Sequence, residues 1–238
     1  MYEGFKMSFT GVLVNTGTVI LGSVLGLVFK KGIPQRVSSA VMIGMGMFTV
    51  YLGVDGALGA ENALIVIAAL VLGAIVGTLL DLDGAINRLG KWAETRFARG
   101  EGETVSVAEG FVSASLLFCV GAMTVNGAIE AGIQGDNALF FTKATMDLFS
   151  SMMLASALGL GVLLSAAFVL VFQGVLVLLA GLIAPVLTPF AVAEMTAAGS
   201  LIMIALGTNL MGATKIKVAD YMPALVIAPV LCWVIGLF

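Results

Sequence analysis

Histidine is absent from this chain. That removes imidazole metal sites and the histidine-based triads on which many hydrolases depend. Charge is scarce: only 11% of the 238 residues are Asp, Glu, Lys or Arg, where a soluble globular domain carries about 25%. The basic residues are few and dispersed between apolar segments, which excludes a nucleic-acid surface. The two cysteines, Cys119 and Cys232, both lie in apolar runs and read as packed thiols rather than a disulfide or metal site. No P-loop or nucleotide-binding pattern occurs, so ATP-driven work would need another subunit. With no evident nucleophile paired to a base, no metal cluster and no cofactor motif, an enzyme is not expected.

What the chain has is hydrocarbon: 60% of it is hydrophobic and its mean hydropathy is +1.13. About 20 apolar residues cross a bilayer as a helix. On that length, spans are expected at 8–29, 38–54, 62–80, 106–128, 140–163, 167–187, 195–212 and 220–238. The N-terminal run is too long for a signal peptide and is followed by no small-residue cleavage site, so it is expected to be the first span. Residues 140–187 hold no charge after Asp147, and at about 1.5 Å per residue they are roughly twice the length of one span. They are expected to fold back near Leu164-Ser165-Ala166. The fold class is an all-α integral membrane protein of about eight transmembrane helices, with the lipid bilayer as its main partner.

Basic residues orient it. With these spans one side receives Lys30, Lys31, Arg36, Arg88, Lys91, Arg96, Arg99, Lys215 and Lys217, and the other only Lys6 and Lys143. The richer side is the cytoplasm, so both termini are expected outside it. Between spans three and four, Ile86, Leu89, Ala93 and Phe97 share one helical face and Arg88, Lys91 and Arg99 the other. That pattern suits a helix lying on the inner membrane surface, or an ordinary solvated connector.

Two windows repeat. GMFTVYLGVDGALGAENAL at 46–64 and GAMTVNGAIEAGIQGDNAL at 121–139 share six identities of nineteen without a gap. A weaker echo lies at 205–223, where Thr208 precedes Asp220 as Thr49 precedes Glu61 and Thr124 precedes Asp136. By span parity the echo turns on the opposite side, which suggests spans 1–3 and 6–8 as partly inverted repeats around a central pair. The chain then divides into 1–103, 104–165 and 166–238. Inverted repeats are a common plan of secondary transporters, although duplication also builds channels and scaffolds.

Ionisable residues inside spans are costly and usually face a cavity or a partner. Lys143 and Asp147 are four apart on one helix face, within pairing distance, with Ser150 and Ser151 a turn further on. They read either as a charge pair in a polar pathway or as a static pair that orients its helix. Asn15 and Thr16 lie in the first span, Asn126 ends the fourth, and Asn209 lies late in the seventh. Gly127, Gly132 and Gly135 around Glu130 would let the backbone leave the helix there. The GxxxG pairs Gly22/Gly26 and Gly73/Gly77 are expected to bring helix backbones together.

The run from Phe118 through Gly132, Gly135 and Asp136 to Lys143 and Asp147 resembles a family of bacterial multi-pass membrane proteins, the YdfK/YqgA-type domain of unknown function. The Asn15 segment and the stretch from Gly207 to Leu225 resemble it as well, so the likeness covers nearly the whole chain. The resemblance implies a protein of the bacterial cytoplasmic (inner) membrane and names no substrate. In that family the position of Asp220 is usually Asn and Glu130 is not fixed. This implies that neither is an essential acid and leaves Asn15, Asp136, Lys143, Asp147 and Asn209 as the leading candidates.

The function expected is a transporter or facilitator of a small polar or ionic solute, bound near mid-membrane by residues drawn from Asn15, Thr16, Asn126, Asp136, Lys143, Asp147, Ser151 and Asn209. An ion channel, or a non-transporting scaffold or partner subunit, is the alternative. A homodimer is compatible with the sparsely charged, glycine-rich helices and is not required by them.

Overall fold

The computed structural model describes residues 7–30, 35–88, 107–119, 122–184 and 187–236, and all regular structure among them is helical. The helices are α1 (Thr10–Lys30), α2 (Gln35–Ala57), α3 (Ala63–Leu79), α4 (Leu82–Arg88), α5 (Val107–Cys119), α6 (Ala122–Ile133), α7 (Ala138–Leu158), α8 (Leu160–Ile183), α9 (Pro189–Leu210) and α10 (Ala224–Ile235). A short 3-10 turn, Val218–Tyr221, precedes α10. Four stretches are long and apolar enough to cross a membrane: Thr10–Phe29, Leu160–Ile183, Pro189–Leu210 and Val218–Ile235. Two bent pairs raise the number to six if each is one span: α3 with α4, bent by 53°, and α5 with α6, bent by 60°. Of the expected surface helix only the first residues, within α4, are described; the rest lies outside the described residues.

Small residues decide which helices meet. On α1, a Cβ at Gly11 would strike Phe140 and one at Gly26 would strike Ala155, so α1 lies against α7 and runs parallel to it. On α2, Gly46 abuts Met211 and Gly53 abuts Ile204, which sets α2 antiparallel to α9. Gly73 and Gly77 of α3 abut Ala224 and Asp220 in turn, so α3 runs antiparallel to the last segment. Both GxxxG pairs thus serve close packing, as expected. Between them Phe118, Leu116, Leu154, Leu158 and Val162 fill a core with no exposure or almost none.

Two turns differ from the sequence reading. The long apolar stretch does fold back, but at Gly159, whose φ of +78° favours glycine, and not at 164–166. Ser165 lies inside α8, where its hydroxyl bonds the Val162 carbonyl at 2.7 Å and needs no turn. Gly127 and Gly132 lie within α6, and the bend, of 60°, comes earlier, between α5 and α6. Gly132 packs against Val177 and Ala180 of α8 instead of opening the backbone. Of that trio only Gly135 leaves the helix, at φ +74°.

The two repeat windows share one local structure. In each, a helix ends, a short turn follows, and the next helix begins at the alanine after Asn62 or Asn137. The echo at 205–223 departs from it: α9 stops at Leu210 and a non-helical segment leads to the 3-10 turn.

Candidate functional site

The start of α1 is fixed by Asn137, the residue before α7. Its Oδ1 accepts the Gly11 amide at 2.8 Å, and its Nδ2 donates to the Ser8 hydroxyl at 2.9 Å and the Gly135 carbonyl at 3.0 Å. The missing side chain at Gly11 is what lets α7 approach that amide. With the two helices locked in parallel, residues one to two turns further in face each other.

There the buried polar groups gather. Lys143 Nζ lies 2.7 Å from Asp147 Oδ2, one turn along α7, and both residues are 6% exposed. The register of α1 on α7 brings Asn15 beside the Asp147 carboxylate. Its Nδ2 donates to Oε1 of Gln173 on α8 at 3.2 Å, and both side chains have no exposure. Lys143 also stands 6.0 Å from the centre of the Phe118 ring, at the outer limit of a cation–π contact. Phe118 is the penultimate residue of α5, and its carbonyl takes the Thr124 hydroxyl at 3.1 Å across the helix break.

The cluster is not saturated. Asn15 Oδ1, Thr16 Oγ1 and Gln173 Nε2 are buried without a hydrogen-bond partner among the described residues. An unmade bond at a buried polar atom costs about 1–3 kcal/mol. Ser151, fully buried, spends its hydroxyl on the Leu148 carbonyl at 3.0 Å.

Asn15, Lys143 and Asp147 are therefore brought to one region of the bundle, with Ser151 one turn beyond Asp147; Thr16 is buried and follows Asn15 on α1. The other candidates lie apart. Asn126 is on an exposed face of α6, and Asp136 is exposed in the turn before α7, its Oδ1 accepting the Ala138 amide at 2.9 Å. Asn209 sits at the far end of α9, where its Oδ1 accepts Thr214 Oγ1 at 2.6 Å and the Ile216 amide at 2.9 Å. It borders an open polar cavity of about 410 Å³, with Asp83 and Asn87 of α4, Glu109 of α5, and Lys215 and Lys217. At the rim of α4 the Arg88 guanidinium, 2.8 Å from exposed Asp81, holds that carboxyl below its ordinary value.

Sequence reading missed three polar residues. Gln173 is the lone polar side chain between Ala166 and Leu187, a signal obscured by its lack of charge. Glu194 was expected just outside a span and lies inside α9 with no exposure; its Oε1 accepts the amides of Glu61 and Asn62, each at 2.7 Å. Asn137 was visible only as one of the repeat identities. Asp220 likewise accepts the Asp83 amide at 2.9 Å, so both buried acids receive backbone donors beside helix starts.

The described residues contain no group of three acidic or thiol side chains placed to hold a metal. Both cysteines are free and buried.

A family model described as "Protein of unknown function (DUF554)" matches residues 10–233. Among curated proteins, the chain is 29% identical to "Uncharacterized membrane protein YdfK" of Bacillus subtilis (strain 168), covering 96% of this chain and 97% of the relative. It is 28% identical to "Uncharacterized protein YqgA" of Escherichia coli (strain K12), covering 92% and 94%. No solved structure matches it.

Proposed function

We propose that this chain, which belongs to the DUF554 family, is a multi-pass protein of the bacterial cytoplasmic membrane that passes a small polar or ionic solute through the Asn15–Lys143–Asp147–Gln173 cluster. In this reading the chain crosses the bilayer eight times, α5 with α6 forming one bent crossing. The helix directions support that path: α1 parallel to α7, α2 antiparallel to α9 and α3 antiparallel to the last segment all agree with strict alternation.

One observation carries the solute site. A buried ion pair stands near two buried carboxamides, and each carboxamide has a polar atom with no partner among the described residues. A purely structural pair would be expected to satisfy its surroundings, since an unsatisfied buried network is worse than an apolar one. A bound cation could take Asp147 Oδ2 from Lys143 while Asn15 Oδ1 and Thr16 Oγ1 supply neutral oxygens. An anion would instead approach Lys143 and the Gln173 amide. Either guest would exchange places with half of the internal pair, which gives the site two arrangements. The bent α5–α6 element beside it fits the same role, because broken helices in membranes occur where they line a cavity or lie buried in protein.

The test is a thermal-stability screen of the purified protein against inorganic ions, amino acids, amines and organic acids, alongside Asp147→Asn. A ligand of the folded state raises its stability by mass action. A shift with one solute class that disappears in Asp147→Asn supports the reading and names the class. Reconstituted vesicles that accumulate none of the stabilising solutes faster than protein-free vesicles overturn transport and leave a scaffold.

A further inference from the structure

Hydroxyls inside the helices of this protein often spend their proton on the preceding turn. Thr49, Ser151, Ser165 and Thr208 donate to the Met45, Leu148, Val162 and Ala205 carbonyls at 2.7–3.0 Å. Thr16 and Ser23 of α1 do not. Both are buried, Ser23 with no exposure, and neither hydroxyl has a partner among the described residues. They lie seven residues apart, two turns of helix, and so share one face of α1. Val19, also without exposure, stands between them on that face.

Register gives what else stands at the level of Ser23. α1 runs parallel to α7, and Gly26, near its end, packs on Ala155 and Ser156, just before the turn into α8. α8 then runs back along α1, where Asn15 bonds Gln173 at 3.2 Å. In antiparallel helices a step forward on one matches an equal step back on the other, so Ser23 comes level with Ser165, and Val19 with Val169. Gly22 packs on Ser151 of α7. Ser23, Ser151 and Ser165, all without exposure, thus lie at one level, one from each helix. That level is about 12 Å from Asn15, at ~1.5 Å per residue. The two valines, neither of them exposed, separate it from the polar cluster.

We propose that the serine level is a second station for the solute, and that the solute is a small monovalent cation of the alkali type. The inference rests on the reading of the Asn15–Lys143–Asp147–Gln173 cluster as a solute site and adds the class of solute. Ser151 and Ser165 have given their protons to their own helices, so they could receive an anion only by breaking those bonds. Their lone pairs remain available, and the Ser23 hydroxyl is tied to no acceptor among the described residues. Neutral oxygens of this kind replace part of a cation's hydration shell, as carbonyl rings do in selective pores, and no bond within the protein is lost. Asp147 supplies the charge that draws the ion to the first station. The serines carry none, so the second station holds the ion weakly and releases it. With α1 running from outside to inside in the eight-span reading, the serines lie on the cytoplasmic side of the pair.

The experiment is uptake of radioactive sodium by vesicles holding the full chain, with thermal unfolding in sodium chloride against choline chloride at equal ionic strength. Uptake above that of protein-free vesicles and a sodium-dependent thermal shift are expected in the wild type. Ser23→Ala removes an unpaired buried group and should fold as well as wild type. It should keep the thermal shift, which Asp147 supports, and cut uptake about tenfold. Thr145→Ala, on the exposed face of α7, should change neither. Uptake unchanged in Ser23→Ala, movement of an anion with none of sodium, or collapse of an imposed pH gradient without sodium movement each overturns this inference while leaving a solute site. Loss of the thermal shift in Ser23→Ala would place Ser23 in the first station and end the second. A wild-type protein that neither binds nor moves any solute removes the solute site itself, and this inference with it.

Discussion

Asn15 Nδ2 donates to Gln173 Oε1 at 3.2 Å, joining two fully buried carboxamides 158 positions apart in the sequence. Each amide has a second polar atom left over, Asn15 Oδ1 and Gln173 Nε2. Removing one amide therefore strands the other. Asn15→Leu and Gln173→Leu singly should each lower stability by about 1–3 kcal/mol, and the double variant should lose less than their sum. A double-mutant cycle read by thermal unfolding in detergent checks this; simple additivity would deny the coupling.

The ion pair on α7 responds in the same way, and more strongly because its partners are charged. Asp147→Ala leaves the Lys143 ammonium buried without its partner and should cost about 3–5 kcal/mol. Lys143→Met combined with Asp147→Leu should restore much of that stability while abolishing any solute-induced thermal shift. A double variant as unstable as Asp147→Ala would show that the pair is needed for folding itself.

Asn137 ties α1, the turn and α7 with three hydrogen bonds. Asn137→Ala should destabilise the protein by about 1–3 kcal/mol. Hydrogen exchange at the Gly11 amide should accelerate more than exchange in α9, which lies elsewhere in the bundle.

Glu194 holds two amides on one oxygen. Glu194→Gln keeps an acceptor in that place and should stay close to wild type, whereas Glu194→Ala strands both amides and should lose about 2 kcal/mol or more. Equal thermal shifts for the two variants would show that the amides find other acceptors.

Asp81 gives a pH prediction with a definite sign. Arg88 lowers its folded-state pKa from 3.8. The carboxylate then contributes stability above that ordinary value, and the contribution is lost as pH falls through the lowered one. Both groups are exposed and the effect is small. Arg88→Gln should bring the Asp81 titration, followed by carboxyl NMR, back towards its ordinary value.

The helical class, the fold-back of the long apolar stretch, a turn between the fourth and fifth expected spans and the Lys143–Asp147 pair were all legible in the sequence. They follow from composition, length and the four-residue helix period, which are local properties. The partners were not. Nothing within α1 says that Gly11, Gly22 and Gly26 will receive α7, over a hundred residues away, since small residues permit an approach without naming who approaches. Gln173 escaped for a related reason: an uncharged amide in an apolar run gains its meaning from Asn15. The bend of 60° between α5 and α6 carries no proline, and Gly121 there is one of 30 glycines in the chain, too common to mark it.

That distant pairing of α1 has a consequence in time. In the proposed membrane arrangement, α1 leaves the ribosome long before α7, which packs on its glycines and carries the lysine–aspartate pair beside Asn15. Until then α1 holds a carboxamide without its final neighbours, facing lipid or another early helix. In that arrangement the contacts of α1 wait for α7 and α8. A chain cut before Ala138 should be cleared by membrane proteases even though its first helices are complete, and supplying residues 138–238 as a second polypeptide should rescue it.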